Sequence, residues 1–315
     1  MALGDFQVFN SSAYNAFINT FQQEVNLFNA ATRNALMLTS VAFMGDKNEL
    51  AAFESIASLV GNRDPSATGA NSEHALAELL KIDIKVGWGI PNISYTNASF
   101  DWTQRDPSEA GTLFGEEVAK GAMAYMLNSA LTAYVASVDS GDVTYDGTAA
   151  KASLDSLNLG AGKFGDRQAD IAAWVMHSKS VNDIYGQALA NSNQLFTFGT
   201  IRVVEDGFGR PLIMTDSDAL HFDNAGTENY YQCGIVSGGV SVQDQGDYRN
   251  YTVTDIAPVN PKELLTATGS FGLGIKGYTF NPAIVQPDDA DLALITNWVR
   301  VGGFKDGAGV RVVTL

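Results

Sequence analysis

Residues 171–185 read IAAWVMHSKSVNDIY. The first six residues form a continuous apolar run, whose length suits one buried β-strand. The run ends in His177, Ser178 and Lys179, which are in principle a base, a nucleophile and a cation. Two interpretations follow. The stretch is either a hydrolytic site or a buried strand followed by a helix that Ser178 or Ser180 caps.

Strand geometry favours the second interpretation. Nucleophilic catalysis needs a serine within hydrogen-bond reach of a base, and a third group that orients the base. Neighbouring residues of a strand point to opposite faces, so His177 and Ser178 would not meet. No GxSxG motif surrounds Ser178. The sequence therefore predicts a buried strand over Ile171–Met176, an amphipathic helix over Ser180–Leu189, and no catalytic residue.

Two other clusters have a chemical and a structural interpretation. Residues 272–277 match GxGxxG, but a dinucleotide site needs a helix to begin there, and Tyr278 and its successors do not begin one. We predict a strand whose glycines allow close packing. The other cluster holds three carboxylates and an imidazole: Asp216, Asp218, His221 and Asp223. Asp and Ser after a strand are typical of turns, so we predict a polar turn and neither a metal nor a cofactor.

The composition excludes several classes of protein. The chain has 315 residues, 45% of them hydrophobic and only 17% charged, with a formal net charge of −16. Binding to nucleic-acid backbones relies on lysine and arginine, so a dedicated DNA- or RNA-binding role is disfavoured. Cys233 is the only cysteine, which excludes an intrachain disulfide and a cysteine zinc site. We expect no signal peptide and no membrane span, and hence a cytoplasmic place of assembly.

The N-terminal third predicts helices and a ribbon. Ser11 or Ser12 caps a helix that starts near Ala13 and continues to about Leu38, and a short helix covers Glu49–Leu59. Apolar and charged residues then alternate over 81–86, and the alternation resumes over 93–96 after turn residues at 88–92. This pattern predicts a two-stranded ribbon with one exposed face. An isolated ribbon is marginally stable, so it needs a surface to lie on.

The strongest helix signal follows the ribbon. Asp106 is the predicted N-cap, Pro107 the first helical residue and Glu109 the partner in a capping box, and the helix continues to about Val138. Apolar residues on two sides of this helix indicate more than one packing neighbour. The remaining chain has a mixed α/β pattern. It predicts a helix over 149–157 and strands over 200–204, 211–215, 230–242, 250–257, 264–276 and 310–315.

Two segments carry a resemblance to a known family. Residues 165–171, GDRQADI, lead into WVMHSK at 174–179, and this is similar to the G-D-R…D-I…V-M-H-S-K segment of many tailed-phage major capsid proteins. The V-x-D-G-type turn that follows there resembles residues 202–207 here. Near the C-terminus, PDDADLA at 287–293 and NWVRV at 297–301 resemble the P-T-x-A-E-L-A…N-W-x-R-V ending of the same proteins.

The resemblance implies an α+β, HK97-like capsid fold. Its segments would be an N-terminal arm (1–44), an E-loop region (45–105), a P-domain spine helix (106–140), an A-domain (141–262), and P-domain return strands with the C-terminus (263–315). Such a protein is structural and not an enzyme. Its copies would assemble in the host bacterial cytoplasm as hexamers and pentamers of an icosahedral shell. The shell would enclose double-stranded DNA in the virion without sequence-specific binding.

The resemblance also implies partners and leaves alternatives. Portal, scaffolding and decoration proteins are the expected partners besides the chain itself. Some family members form a covalent crosslink from a lysine of the ribbon, and Lys81 and Lys85 lie on the predicted ribbon here. Because no signature of the catalytic glutamate is present, crosslinking is not expected. An encapsulin-like compartment subunit is the alternative within the fold. A serine hydrolase using Ser178 and His177, and an adhesive or decoration module, are the alternatives outside it.

Overall fold

The computed structural model describes residues 3–53, 62, 66, 69, 73, 78–96, 106–139, 141–185, 194–198, 201–205, 210–256 and 262–315. The predicted turns over 61–69 and 206–209 fall largely outside these residues. Five α-helices occur in the described chain: α1 (Leu3–Ala31), α2 (Pro107–Ser137), α3 (Leu154–Lys163), α4 (Ser178–Tyr185) and α5 (Asp289–Ala293).

Two large sheets and one two-stranded sheet hold the strands of the described residues. The first half of the chain contributes β1 (Leu36–Thr39), β2 (Lys47–Phe53), β3 (Glu78–Gly89), β4 (Ile93–Thr96), β5 (Thr144–Gly147) and β6 (Ile171–Met176). The middle contributes β7 (Gln194–Phe198), β8 (Ile201–Glu205), β9 (Pro211–Met214), β10 (His221–Asn224), β11 (Thr227–Val236), β12 (Val240–Asp244) and β13 (Arg249–Asp255). The last strands are β14 (Lys262–Ile275), β15 (Tyr278–Phe280), β16 (Trp298–Arg300) and β17 (Gly309–Thr314).

Each sheet collects strands from distant parts of the chain. One has the order β1-β12-β14-β3-β2, with β13 and β4 also paired to β14, and the other has the order β5-β17-β11-β6-β9-β8-β7, with β10 paired to β11. Strands from 141–262 and from 263–315 occur in both sheets. The predicted domains are continuous segments of the chain, whereas each sheet contains strands from more than one of these segments. The domain boundaries therefore remain a prediction.

The opening stretch supplies the centre of the second sheet. Strand β6 covers the predicted residues, pairs antiparallel with β11 and parallel with β9, and is buried on nearly every residue. A continuous apolar run is typical of a strand that is covered on both faces. The helix that follows begins at Ser178, two residues before the predicted start, and residues 186–189 of the prediction lie outside the described residues.

The spine helix α2 starts and ends where the sequence predicts. Asp106 is its N-cap residue, Pro107 occupies the first turn, and Val138 is the C-cap. Both predicted apolar stripes are buried or half-buried. The capping-box prediction is wrong, because the Asp106 side chain accepts no capping hydrogen bond. The fixed φ of a proline is already helical, and this favours a helix start without a side-chain cap.

One buried tyrosine ties the spine to the second sheet. The Tyr134 hydroxyl lies 3.0 Å from the carbonyl oxygen of Gly234 in β11 and 3.0 Å from that of Val310 in β17. Complete burial raises the pKa of this phenol well above its usual value. The hydroxyl therefore remains protonated and shares its one hydrogen between the carbonyl oxygens of two neighbouring strands.

The N-terminal helix differs from its prediction at both ends. It starts at Leu3, ten residues before the predicted start, and it ends at Ala31. Arg33 and Asn34 have φ values of 52° and 56°, a left-handed conformation that a helix does not continue through. Leu36 and Leu38 then enter the first sheet as β1 rather than extending the helix.

Two further helix predictions are corrected. Residues 49–53 of the predicted helix over 49–59 are part of β2, which pairs antiparallel with β3; residues 54–59 lie outside the described residues. Tertiary pairing here overrides the helical propensity of alanine, leucine and glutamate. The helix predicted over 149–157 begins only at Leu154, where Ser153 and Ser156 form a capping box.

The predicted ribbon pairs the wrong strands. Strand β3 pairs with β2 and with β14, and β4 pairs with β14 rather than with β3. Residues 88–92 do not reverse the chain into a hairpin, because the Ile90 amide donates to the Ala267 carbonyl and the segment continues along β14. The projecting ribbon is therefore β2 with β3, and it is called the ribbon below.

Candidate assembly surfaces

The polar corner after β6 is built around His177. This residue precedes the first turn of α4, and its Nδ1 accepts a hydrogen bond from the Lys179 backbone N–H at 3.2 Å. Its Nε2 lies 3.5 Å from Asp216 Oδ1, and its ring packs at 5.1 Å from the ring of Tyr230. The predicted cap, Ser178 or Ser180, is wrong. Only His177 separates β6 from α4. His177 is therefore the N-cap residue, and its imidazole accepts the capping hydrogen bond.

This arrangement does not resemble a hydrolytic site. Both ring nitrogens of His177 face groups other than Ser178, namely the Lys179 amide and the Asp216 carboxylate. Ser180 Oγ accepts a hydrogen bond from Gln232 Nε2 at 2.9 Å inside the protein. Burial lowers the pKa of His177, and the nearby Asp216 charge opposes this shift. The corner joins β6, α4 and β11 and presents no activated serine.

The acidic cluster after β9 is divided between a turn and a strand. Ser217 Oγ accepts from the Ala219 N–H at 3.3 Å and starts a short 3₁₀ helix that contains Asp218. His221 begins β10, and Asp223 accepts from the Gly226 N–H at 2.7 Å in the turn to β11. Within the part of the chain that the structure describes, no three His, Cys, Asp or Glu side chains are placed to hold a metal ion.

The GxGxxG match lies on strand β14, as the structural interpretation predicts. A Cβ at Gly272 would lie 2.3 Å from the Phe43 ring, and one at Gly274 would lie 2.3 Å from Asp83 Oδ1. Side chains from neighbouring segments thus fill the space above both glycines. The motif contributes close packing at the root of the ribbon.

The two motifs behind the capsid resemblance are each bound to another segment: the first to residues 305 and 306, and the second to the spine helix. Asp166 accepts from Lys305 at 2.5 Å, and Arg167 donates to Asp170 and to Asp306 at 2.8 Å each. These pairs are exposed, so each contributes little to stability, but together they join 165–170 to 304–306. In the other motif, Asp288 and Asp291 cap α5, and the neighbouring Asp289 accepts from Tyr125 of the spine at 2.9 Å.

The ribbon carries apolar side chains beyond the protein body. On one face, Val86, Ile84 and Ile82 are buried, but the next residue of the same stripe, Leu80, is 42% exposed. On the opposite face, Leu50 stands across from Lys81 and is 49% exposed. The apolar stripe of the ribbon therefore extends to residues that the described part of the subunit leaves half exposed.

The ribbon lysines have ionic partners within the subunit. Lys81 lies 3.1 Å from Asp83, and Lys85 lies 3.7 Å from Asp247. The Asp83 carboxylate is nearly buried, and burial raises its pKa against the opposing charge of Lys81. Both lysines therefore have local roles, and the expectation that they form no crosslink stays a prediction.

A groove opens between the root of the ribbon and the spine helix. It has a volume of about 560 Å³. Its walls are the segment 87–90 with Ile93 on one side and residues 114–125 of α2 on the other, and Glu117 is the one carboxylate among the described residues that line it. We call it the spine groove. Its size and apolar walls suit one or two aliphatic side chains from a partner.

The N-terminal helix packs closely along the spine at two glycines. A Cβ at Gly111 would lie 2.4 Å from the Phe9 carbonyl oxygen, and one at Gly115 would lie 2.2 Å from that of Ala13. Farther along α1, the Phe17 ring stacks on Tyr248 with centroids 3.9 Å apart. The arm is therefore fixed to its own subunit by steric fit and aromatic packing.

Comparisons with known proteins agree with these features. Residues 5–311 match the model of the Gp13-like family, described as major capsid protein 13-like. The chain is similar to the capsid of cyanophage P-SCSP1u, at 11% identity and a TM-score of 0.51, over 90% of this chain and 87% of that one. It is equally similar to the cyanophage Pam1 capsid asymmetric unit, at 11% identity and a TM-score of 0.50, over 89% and 88% of the chains.

Neither a curated relative nor a membrane-spanning helix among the described residues is found. None of the curated proteins compared with the sequence matches it. Among the residues that the structure describes, no helix is both long enough and apolar enough to span a membrane.

Proposed function

Because this chain belongs to the Gp13-like family of major capsid proteins, we propose that its copies form the hexamers and pentamers of an icosahedral shell around double-stranded DNA. The resemblance to phage major capsid proteins and the α+β HK97-like fold, both predicted from the sequence, are confirmed. The protein is a structural subunit of a phage capsid and is located in the virion. The hexamers, pentamers and enclosed DNA are the proposed part.

The observation that carries the proposal is the apolar ribbon end. Fully burying a leucine side chain stabilises by about 1.5–3 kcal/mol. Leu50 and Leu80 are about half exposed in the single subunit, so covering both would contribute roughly 2 kcal/mol to each contact. Every subunit of a closed shell makes such a contact, so a small stabilisation per subunit accumulates over the particle.

The spine groove of a neighbouring copy is the surface that we propose receives the ribbon. Its walls are apolar, and it accommodates side chains of leucine size. A pairing of this kind joins copies head to tail, which closes into rings when the rotation between copies divides a full turn.

The acidity of the chain fits the proposed cargo. A net charge of −16 repels the phosphate backbone. A shell with such subunits can surround DNA without gripping it, and self-repulsion keeps free subunits soluble before assembly. Portal, scaffolding and decoration proteins are proposed as further partners on the strength of the family alone.

Light scattering and negative-stain microscopy of the purified protein test assembly directly. We expect closed particles of uniform size, and particles recovered from phage lysates should hold nuclease-resistant double-stranded DNA. A monodisperse monomer under every assembly condition, with or without co-expressed phage head proteins, would contradict the shell. Closed particles that hold a cargo enzyme instead of DNA would favour the encapsulin-like alternative.

A structural role also predicts that the His177 corner has no hydrolytic activity. Changing Ser178 to alanine should leave the hydrolysis of a nitrophenyl ester at its background rate, because no described base contacts Ser178 Oγ. The control is the unchanged protein at the same concentration. A large fall in hydrolysis on this substitution would revive the serine hydrolase.

A further inference from the structure

We propose that His177 is an acid-sensitive cap of helix α4, which holds the first turn of the helix when its imidazole is neutral and releases it when the imidazole is protonated. His177 is the single residue between β6 and α4. The proposal concerns the single subunit and does not depend on the shell.

The hydrogen bond at the helix start requires one particular tautomer. His177 Nδ1 lies 3.2 Å from the Lys179 backbone nitrogen and accepts its hydrogen, so Nδ1 must carry a lone pair. The proton of the neutral ring is then on Nε2, which lies 3.5 Å from Asp216 Oδ1. The carboxylate thus faces the protonated nitrogen, and the tautomer that caps the helix is the tautomer that Asp216 favours.

Protonation of Nδ1 would put two donors face to face. The Lys179 N–H would lose its acceptor, and a positive charge would stand at the positive end of the helix macrodipole. The contact from the Val181 N–H to the His177 carbonyl oxygen, at 3.2 Å, is independent of the ring. The capping contact is therefore the part of the helix start that acid removes.

The charged and titratable groups around the ring come from four segments. From α4 there are Lys179 and Asp183, from the segment after β9 there are Asp216 and Asp218, from β10 there is His221, and from β11 there are Glu228 and Tyr230. The carboxylates favour the charged ring, whereas burial and the neighbouring His221 oppose it, and burial is the largest effect.

The sign of the pH dependence follows from this balance. Burial lowers the pKa of His177 in the folded protein from its ordinary value of 6.5. The unfolded chain then binds a proton more readily than the folded one, so the stability contributed by the cap is present above pH 6.5 and is lost as the pH falls through the lower folded pKa.

Hydrogen exchange of the peptide that covers 178–185 tests the proposal at pH 7.5 and pH 5. After correction for intrinsic exchange rates, we expect these amides in the wild-type protein to exchange about 5–10-fold faster at the lower pH, the effect of losing one cap. His177→Asn should show no such change, because asparagine is a strong N-cap that does not titrate. His221→Gln, which keeps the cap, should remain acid-sensitive.

Two results would overturn the proposal. One is an equal response to acid in the wild type and in His177→Asn. The other comes from nitrogen NMR of the wild-type protein, which reads the tautomer without any substitution: a proton on Nδ1 of His177 at pH 7.5 excludes the capping bond. This measurement decides the question even if the variant does not fold.

Discussion

Replacing residues 50–81, a segment that includes Leu50 and Leu80, by an Asn-Gly turn is expected to give a folded subunit that forms no shells. Glu49 and Ile82 stand opposite each other in the β2–β3 pairing, so a two-residue hairpin can join them without a change of register. Ile82, Ile84 and Val86 stay in the core. Among the described residues, the replacement removes the two half-exposed leucines, Leu50 and Leu80.

Point substitutions provide a graded form of the same test. Leu50→Ser with Leu80→Ser should raise the concentration needed for assembly about 30-fold, the equivalent of roughly 2 kcal/mol per contact. Glu49→Ser is the matched control, because it changes an exposed ribbon residue and removes no apolar area. Assembly is followed by light scattering, and the fold of each variant by circular dichroism.

The same experiments identify where the ribbon binds. A bulky residue at Gly121, which borders the spine groove and has open space around its Cα, should block the groove and reduce assembly as the leucine substitutions do. Normal shells from the hairpin variant would show that the ribbon end makes no necessary contact. Normal shells from the blocked groove alone would place the ribbon on another surface.

The second large effect is expected at the contact between the arm and the spine. Gly115→Ala puts a Cβ 2.2 Å from the Ala13 carbonyl oxygen, so α1 must move away from α2. Overpacking costs about 1–3 kcal/mol, even though alanine favours a helix over glycine by about 1 kcal/mol. The melting temperature should therefore fall, by roughly 2–4 °C for each kcal/mol of net loss.

Gly121→Ala is the matched control for this prediction. It is the same substitution in the same helix, but no atom lies within 4 Å of the added Cβ. Alanine should therefore raise the melting temperature slightly through its helix propensity. Equal melting temperatures for the two variants, with α1 equally resistant to protease in both, would contradict the close fit between Gly115 and the arm.

Local sequence patterns predicted the elements that bury their own apolar residues. Ile171–Met176 is uniformly apolar, and it forms the central strand that its composition indicates. The spine helix begins at Pro107 and ends at Ser137, close to its predicted ends, because its apolar residues recur on helical faces for its whole length. The capsid motifs near 165 and 297 were also recognisable without coordinates.

Other elements depend on partners that are far away in the chain. Residues 49–53 are a strand because β3 lies beside them, and Leu36–Thr39 is a strand because β12 lies beside it. The sequence around Trp88 predicts a hairpin turn, but in the structure these residues pair with β14, which is about 180 residues later in the sequence. Such long-range pairings produce no periodicity and no turn signal within a short window of sequence.

His177 is an example of the same difference between local sequence pattern and tertiary contact. Residue patterns alone predict that β6 is buried and that a helix follows it. They also show that no catalytic motif surrounds Ser178 and that the chain resembles phage capsid proteins. The folded chain was needed to show that the imidazole caps α4, that Asp216 faces its other nitrogen, and that the ribbon is β2 with β3. The physical reason is that periodicity records burial within one element, whereas hydrogen bonds and strand pairing depend on groups that only the folded chain brings together.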